Sequence, residues 1–171
     1  MATRTIRENG DAILLKKSRA VTDFNERLHT LLDDMRETLI KANGVGLAAP
    51  QVGVLRRAVL VMNVDREDLS PDEQIVELIN PVIIESDGEQ TGPEGCLSVP
   101  GIYGVVSRPA HVKVKAFNRY GEEFELEGTG LLARACCHEI DHLDGHLFTE
   151  KAERILSNEE LEEMYNRSEE E

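Results

Sequence analysis

The sequence predicts a chain of mixed α and β structure with one helix buried on both of its sides. Three stretches carry that prediction. Cys137-His138-Glu139-Ile140-Asp141-His142 sets two histidines four residues apart, within a run that has helix signals at both ends. Residues 111–117 alternate strictly between apolar and polar, and residues 122–127 return as a hairpin partner. Phe24, Leu28, Leu31, Leu32, Met35 and Leu39 recur at helical spacing with charges between them.

Taken in order, residues 4–21 read as an extended lead-in with a short apolar patch at Ala12–Leu15. The first helix is expected to start after Thr22-Asp23, where Asp23 and Glu26 have the spacing of a capping box, and to end at Asn43-Gly44. Residues 44–53 follow, rich in small side chains. A phosphate-cradling loop is one reading, but the order G-x-x-x-x-G-K-[ST] is missing, so a packed turn is preferred. Residues 58–64 form a buried strand and 65–73 a surface loop. Residues 75–85 form one or two strands broken at Asn80-Pro81. Residues 91–101, rich in glycine and proline, read as a turn with Cys96 at its middle. After the hairpin, Thr129-Gly130 starts the histidine-bearing helix and Gly145 stops it. Residues 150–171 hold nine acids against three bases and read as a short helix with a solvated tail.

Length and charge narrow the function classes. A chain of 171 residues is one domain with a proper core, here with an acidic tail from about residue 150. It has no apolar run long enough to span a membrane and no apolar stretch near Met1 of the secretory kind. Three cysteines, two of them adjacent, make no disulfide framework, and a cytoplasmic setting is expected. The formal charge of −14 argues against unaided binding to nucleic acid or to an anionic membrane.

The chemistry is concentrated on the late helix. At about 100° per residue, His138 and His142 share a face with Leu131 and Ala135 and can present both imidazoles to one ion. Glu139 lies one step round, placed to reach a water on that ion. The same winding takes Cys136 and Cys137 away from it. A third ligand must come from elsewhere, and Cys96 between glycines fits that need as a thiolate. The plainer alternatives are two histidines that pack or cap and a cysteine that acts as a small buried hydrophobe. His29, His111 and His146 read as surface or capping residues.

Three motifs together resemble those of the peptide deformylases: Gly44-Val-Gly-Leu-Ala-Ala-Pro-Gln51, Glu94-Gly-Cys-Leu-Ser98 and His138-Glu-Ile-Asp-His142. The likeness runs over roughly residues 6–148. It implies an α+β fold of antiparallel β-sheets wrapped around the central metal-binding helix. It also implies removal of the formyl group from the starting methionine of new proteins, with N-formylmethionyl nascent peptides as partners. By resemblance Cys96, His138 and His142 hold the metal, Glu139 acts as general base and then acid, and Gln51 and the Leu97 N–H stabilise the oxyanion. Val45, Gly46 and Gly95 would receive an extended peptide, while Leu131 and Ala135 line the methionine pocket. The family favours Fe²⁺ in the cell, with Zn²⁺, Ni²⁺ or Co²⁺ as substitutes in vitro. Cys137 stands where many members have glutamine, and Arg134 where an apolar pocket residue is common. The acidic tail departs from a basic C-terminal extension used for ribosome attachment. Two rival functions are a zinc aminopeptidase, which leaves the Glu94–Ser98 motif and Gln51 without a role, and a structural metal module, which leaves Glu139 idle.

Overall fold

The computed structural model describes residues 2–170. After a 3₁₀ turn at Ala12–Leu15, helix α1 spans Glu26–Ala42. Its cap is Asn25, whose Oδ1 accepts from the Leu28 N–H at 3.1 Å, two residues beyond the expected Asp23, and with Leu28 at the third helical position the expected box does not form. The chain leaves α1 through Asn43 in the left-handed region (φ 55°), as the Asn-Gly pair predicts. Strand β1 (Gly46–Ala48) and a 3₁₀ turn (Ala49–Val52) occupy the stretch expected to be only a packed turn. Small residues there form a short edge strand, because nothing bulkier fits against the helix beneath it. Strand β2 (Ala58–Met62), the one-turn helix α2 (Pro71–Gln74) and strand β3 (Ile75–Asp87) follow. β3 runs through the expected break as a bulge between Ile79 and Val82, with Asn80 at φ 51°. The Asn80 amide uses both ends on Val21, accepting from its N–H at 2.8 Å and donating to its carbonyl at 2.9 Å.

Strands β4 (Gln90–Cys96) and β5 (Val99–Arg108) replace the long turn expected at 91–101; only Leu97 and Ser98 turn. Proline and glycine are tolerated there because β4 is an edge strand. Strands β6 (His111–Phe117) and β7 (Glu123–Thr129) make the predicted hairpin. Helix α3 (Gly130–Leu143) carries the histidines, β8 (Arg154–Ile155) pairs with β5, and α4 (Asn158–Glu170) ends the description.

Two antiparallel sheets result, in the orders β1-β2-β3-β6-β7 and β4-β5-β8. Alternation along β2 explains how the larger sheet is held. Ala58 and Leu60 face a core with Leu32, Met35 and Leu39 of α1, whereas Val59 and Val61 face a core with Leu132, Ala133 and Cys136 of α3. Burial on both faces accounts for the continuous apolar run in the sequence. Helix α3 also touches β5 of the smaller sheet, so it lies centrally between the sheets. Gly145 ends it with φ 80°, and a Cβ there would lie 2.5 Å from the Leu15 carbonyl oxygen.

Candidate metal centre

Helix α3 supplies His138, Glu139 and His142, the last residue of β4 is Cys96, and the 3₁₀ turn after β1 supplies Gln51. The spacing of four brings the two imidazoles together, with Nε2 to Nε2 at 3.2 Å, and Cys96 Sγ lies 3.4 Å from His142 Nε2. One donor atom from each of Cys96, His138 and His142 lies within 4.8 Å of the others. Cys136 and Cys137 are buried beneath the sheet, as the winding predicts, and burial pushes the Cys136 thiol up to about 12.

Behind this trio stands a charge network that is scarcely visible in the sequence. The Nδ1–H of His138 donates to Glu94 Oε2 at 2.7 Å, which turns Nε2 toward Cys96 and His142. Glu94 also accepts from Arg108 at 3.1 and 2.6 Å and from Arg134 at 2.9 Å. Burial alone would raise its pKa, but His138 and Arg108 outweigh burial and hold it down to about 2. Arg108 further donates to Asp141 at 2.6 Å, tying the β5 end to the histidine helix. Glu94 lies within a motif, so its importance was readable; Arg108 and Asp141 had no such flag. Arg134 lines the cleft with its charge neutralised by Glu94, which reconciles an arginine with a position where an apolar residue is common.

Glu139 is 4% exposed, and its Oε1 has no hydrogen-bond partner among the described residues. Burial raises its pKa to about 7, against the opposing charge of His138. Among protein groups alone, the pKa of His138 is raised. Burial opposes its charge, but Glu139, Cys96 and Glu94 outweigh it. His142 stays neutral, lowered to about 3 by burial and by His138. Gln51 is fixed end for end: its Oε1 accepts from the Ala48 N–H at 2.9 Å, and its Nε2 donates to Ser98 Oγ at 3.0 Å and lies 3.6 Å from Cys96 Sγ.

Cys96, His138, Glu139 and Gln51 line a cleft of about 520 Å³ whose walls include Val45, Gly46, Gly95, Leu97, Leu131 and Ala135, and His142 lies buried behind His138. The structure therefore brings the residues that the resemblance assigns to the site to one place. The cleft runs between β1 and β4, each the free edge of its sheet. Gly46 approaches closely because a Cβ would stand 2.5 Å from Glu139 Oε2, and at Gly95 a Cβ would meet the Tyr103 ring at 2.5 Å. A soft thiolate with two imidazoles, one of them oriented by a carboxylate, fits a borderline divalent ion and not Mg²⁺ or Ca²⁺.

A helix-borne pair of histidines, a third donor from a neighbouring hairpin and a buried carboxylate beside them define a metal-dependent hydrolase. The comparisons are more specific. The family described as polypeptide deformylase matches residues 3–158. A peptide deformylase of Acetivibrio thermocellus is 56% identical over 162 residues, covering 95% of this chain and 91% of that one. One from Lachnoclostridium phytofermentans is 54% identical over 171 residues, covering 100% and 99%. The crystal structure of a peptide deformylase from Legionella pneumophila superposes with a TM-score of 0.81 at 39% identity, over 99% of each chain. The chain belongs to the peptide deformylase family, metal-dependent hydrolases that remove the N-formyl group from the N-terminal methionine of newly synthesised proteins and release formate.

Proposed function

We propose that deformylation runs through the three-donor centre at the cleft floor, with Cys96, His138 and His142 holding the cation: Fe²⁺ in the cell, with Zn²⁺, Ni²⁺ or Co²⁺ able to replace it in vitro. The observation that carries this reading is the approach of the three donor atoms to within 4.8 Å of one another. A thiolate beside two imidazoles suits iron as well as zinc. A cation bound there supplies hydroxide near neutral pH and polarises the formyl carbonyl.

The chain's own groups do the rest. Glu139, with Oε1 free of other partners, takes the proton of the attacking water and returns it to the departing amine. A pKa lifted to about 7 suits a group that must both accept and give a proton in one turnover. The Gln51 amide has two N–H bonds; one donates to Ser98 Oγ, and the other, which reaches only the distant Cys96 Sγ at 3.6 Å, turns to the developing oxyanion together with the Leu97 N–H. Val45 and Gly46 on one free edge and Gly95 on the other hold the substrate main chain as an added strand. Leu131 and Ala135 take the methionine side chain.

Residues 1–171 act on this reading as one catalytic domain. Its three unpaired thiols suit the reducing cytoplasm. No helix among the described residues is long and apolar enough to cross a membrane. The deformylation site needs no nucleic acid, and the tail from about residue 150, with nine acids against three bases, is assigned no ribosome contact. The test is to strip the protein, reload it with Fe²⁺ away from air, and measure metal content beside formate release from a formyl-methionyl peptide. One ion per chain is expected, lost together with activity in His138→Ala and His142→Ala. Full metal and full turnover in either variant would overturn the ligand set.

A further inference from the structure

A second cavity, of about 640 Å³, opens beside the start of α1 and shares no wall residue with the substrate cleft. Four arginines line it: Arg4, Arg19, Arg27 and Arg56. Arg4 is neutralised by Asp34 at 2.9 Å. Arg19, Arg27 and Arg56 make no ion pair among the described residues. Among the described residues the Arg56 guanidinium donates only to the Leu55 carbonyl, at 3.3 Å. Asp23 is the single carboxylate in the wall. Between the charges the lining is apolar, with Val21, Leu28 and Leu31 all buried.

This concentration runs against the rest of the chain. Residues 1–57 hold ten Lys and Arg against seven Asp and Glu, a net of +3, while residues 58–171 hold nine against twenty-six, a net of −17. Elsewhere the arginines are consumed: Arg36, Arg57, Arg108, Arg119 and Arg134 each pair with a carboxylate. Arg19, Arg27 and Arg56, outnumbering Asp23 in the wall, leave it net positive, which favours an anion there. The planar guanidinium fork suits the oxygens of a phosphate. The hollow has the size of a small-molecule site, and its mixed lining asks for a ligand with an apolar body and an anionic end. A nucleic-acid strand presents phosphates along an extended track, which one hollow in a net acidic protein does not match.

We infer that this cavity is a binding site for a small organic phosphate, with the phosphate on Arg19, Arg27 and Arg56 and the apolar body over Val21, Leu28 and Leu31. Because the two cavities are separate, deformylase activity reports folding independently. The experiment is calorimetric titration of the full-length, zinc-loaded protein with ADP, inorganic phosphate and citrate. ADP is expected to bind, and phosphate, lacking the body, at least tenfold more weakly. Arg19→Ala, Arg27→Ala and Arg56→Ala should each weaken ADP about tenfold or more, as loss of a charge-assisted hydrogen bond does, with formate release unchanged. Arg56→Lys, which keeps the charge and loses the fork, should fall between wild type and Arg56→Ala. Absence of ADP binding, or equal affinity for citrate, overturns the inference. So does binding that survives the arginine substitutions but disappears when the metal is stripped, since that locates the anion at the catalytic centre. Capture of a short single-stranded RNA by protein that ignores ADP overturns the ligand class.

Discussion

Gly46 and Glu139 occupy each other's space: the glycine has no Cβ at the point where one would stand 2.5 Å from the carboxylate oxygen. Gly46→Ala is therefore expected to displace Glu139 and lower formate release by up to ~10²-fold, because displacements on the order of 1 Å cost that much. Bound metal should be unchanged, and a variant with normal turnover would show that Glu139 has room to spare. Glu139→Ala should lose ~10²–10⁴-fold in turnover, the usual contribution of a general base, while metal analysis still finds the ion in place. Loss of metal with normal activity per remaining ion would instead make Glu139 a ligand. Among the cysteines, Cys96→Ala should lose most of its metal, and Cys136→Ala and Cys137→Ala should keep it; equal retention in all three removes Cys96 from the trio. At this scale the helical spacing in the sequence shows which side chains come together. The four-residue spacing fixes which side chains share a helix face, and that held for His138, His142, Cys136 and Cys137. It was silent on Arg108, because its partners lie 14 residues before it and 33 after it and leave no local pattern; only the fold brings it to Glu94 and Asp141.

Elements with a period were legible, and those shaped by contact were not. The β6–β7 hairpin and α1 follow from alternation and from a 3.6-residue repeat. β1, β4 and the first part of β5 are rich in glycine and proline and lack such a period, since close backbone approach and not side-chain packing selects their residues. Joining of the elements shows the same division. Glu77 on β3 accepts from Arg36 of α1 at 2.8 Å and from Arg119 of the β6–β7 turn at 2.9 and 2.6 Å. Burial would raise its pKa, but the hydrogen bonds from Arg119 and Arg36 prevail and lower it. Its stabilising contribution is thus complete above the ordinary glutamate value of 4.5 and is lost as pH falls through the lower folded value. Glu77→Gln should cost about 1–3 kcal/mol in urea unfolding at pH 7, the usual penalty for orphaned charged partners. The gap between variant and wild type should narrow on acidification; a constant gap would assign the loss to packing.

For the molecule as a whole, an ion held by the proposed ligands would couple α3 to the β4–β5 hairpin, and its identity would govern how long the enzyme survives. Iron-loaded protein is expected to lose activity in air through oxidation of the ion and of the Cys96 thiolate, while zinc, which has no accessible redox change, removes the first route. Formate release before and after exposure, compared for the two loadings, checks this; equal air stability would mean that oxygen does not reach the iron. The acidic helix α4 adds a further whole-molecule feature, for it brings Tyr165 to the wall of the substrate cleft from outside the matched region of residues 3–158. The two free sheet edges have a wider consequence. On the proposed binding mode, a guest chain laid between β1 and β4 would be gripped by amides and carbonyls, which every protein presents alike. Discrimination would then fall on the first side chain and its blocked amine. Such indifference is what a catalyst needs when its clientele is a whole proteome.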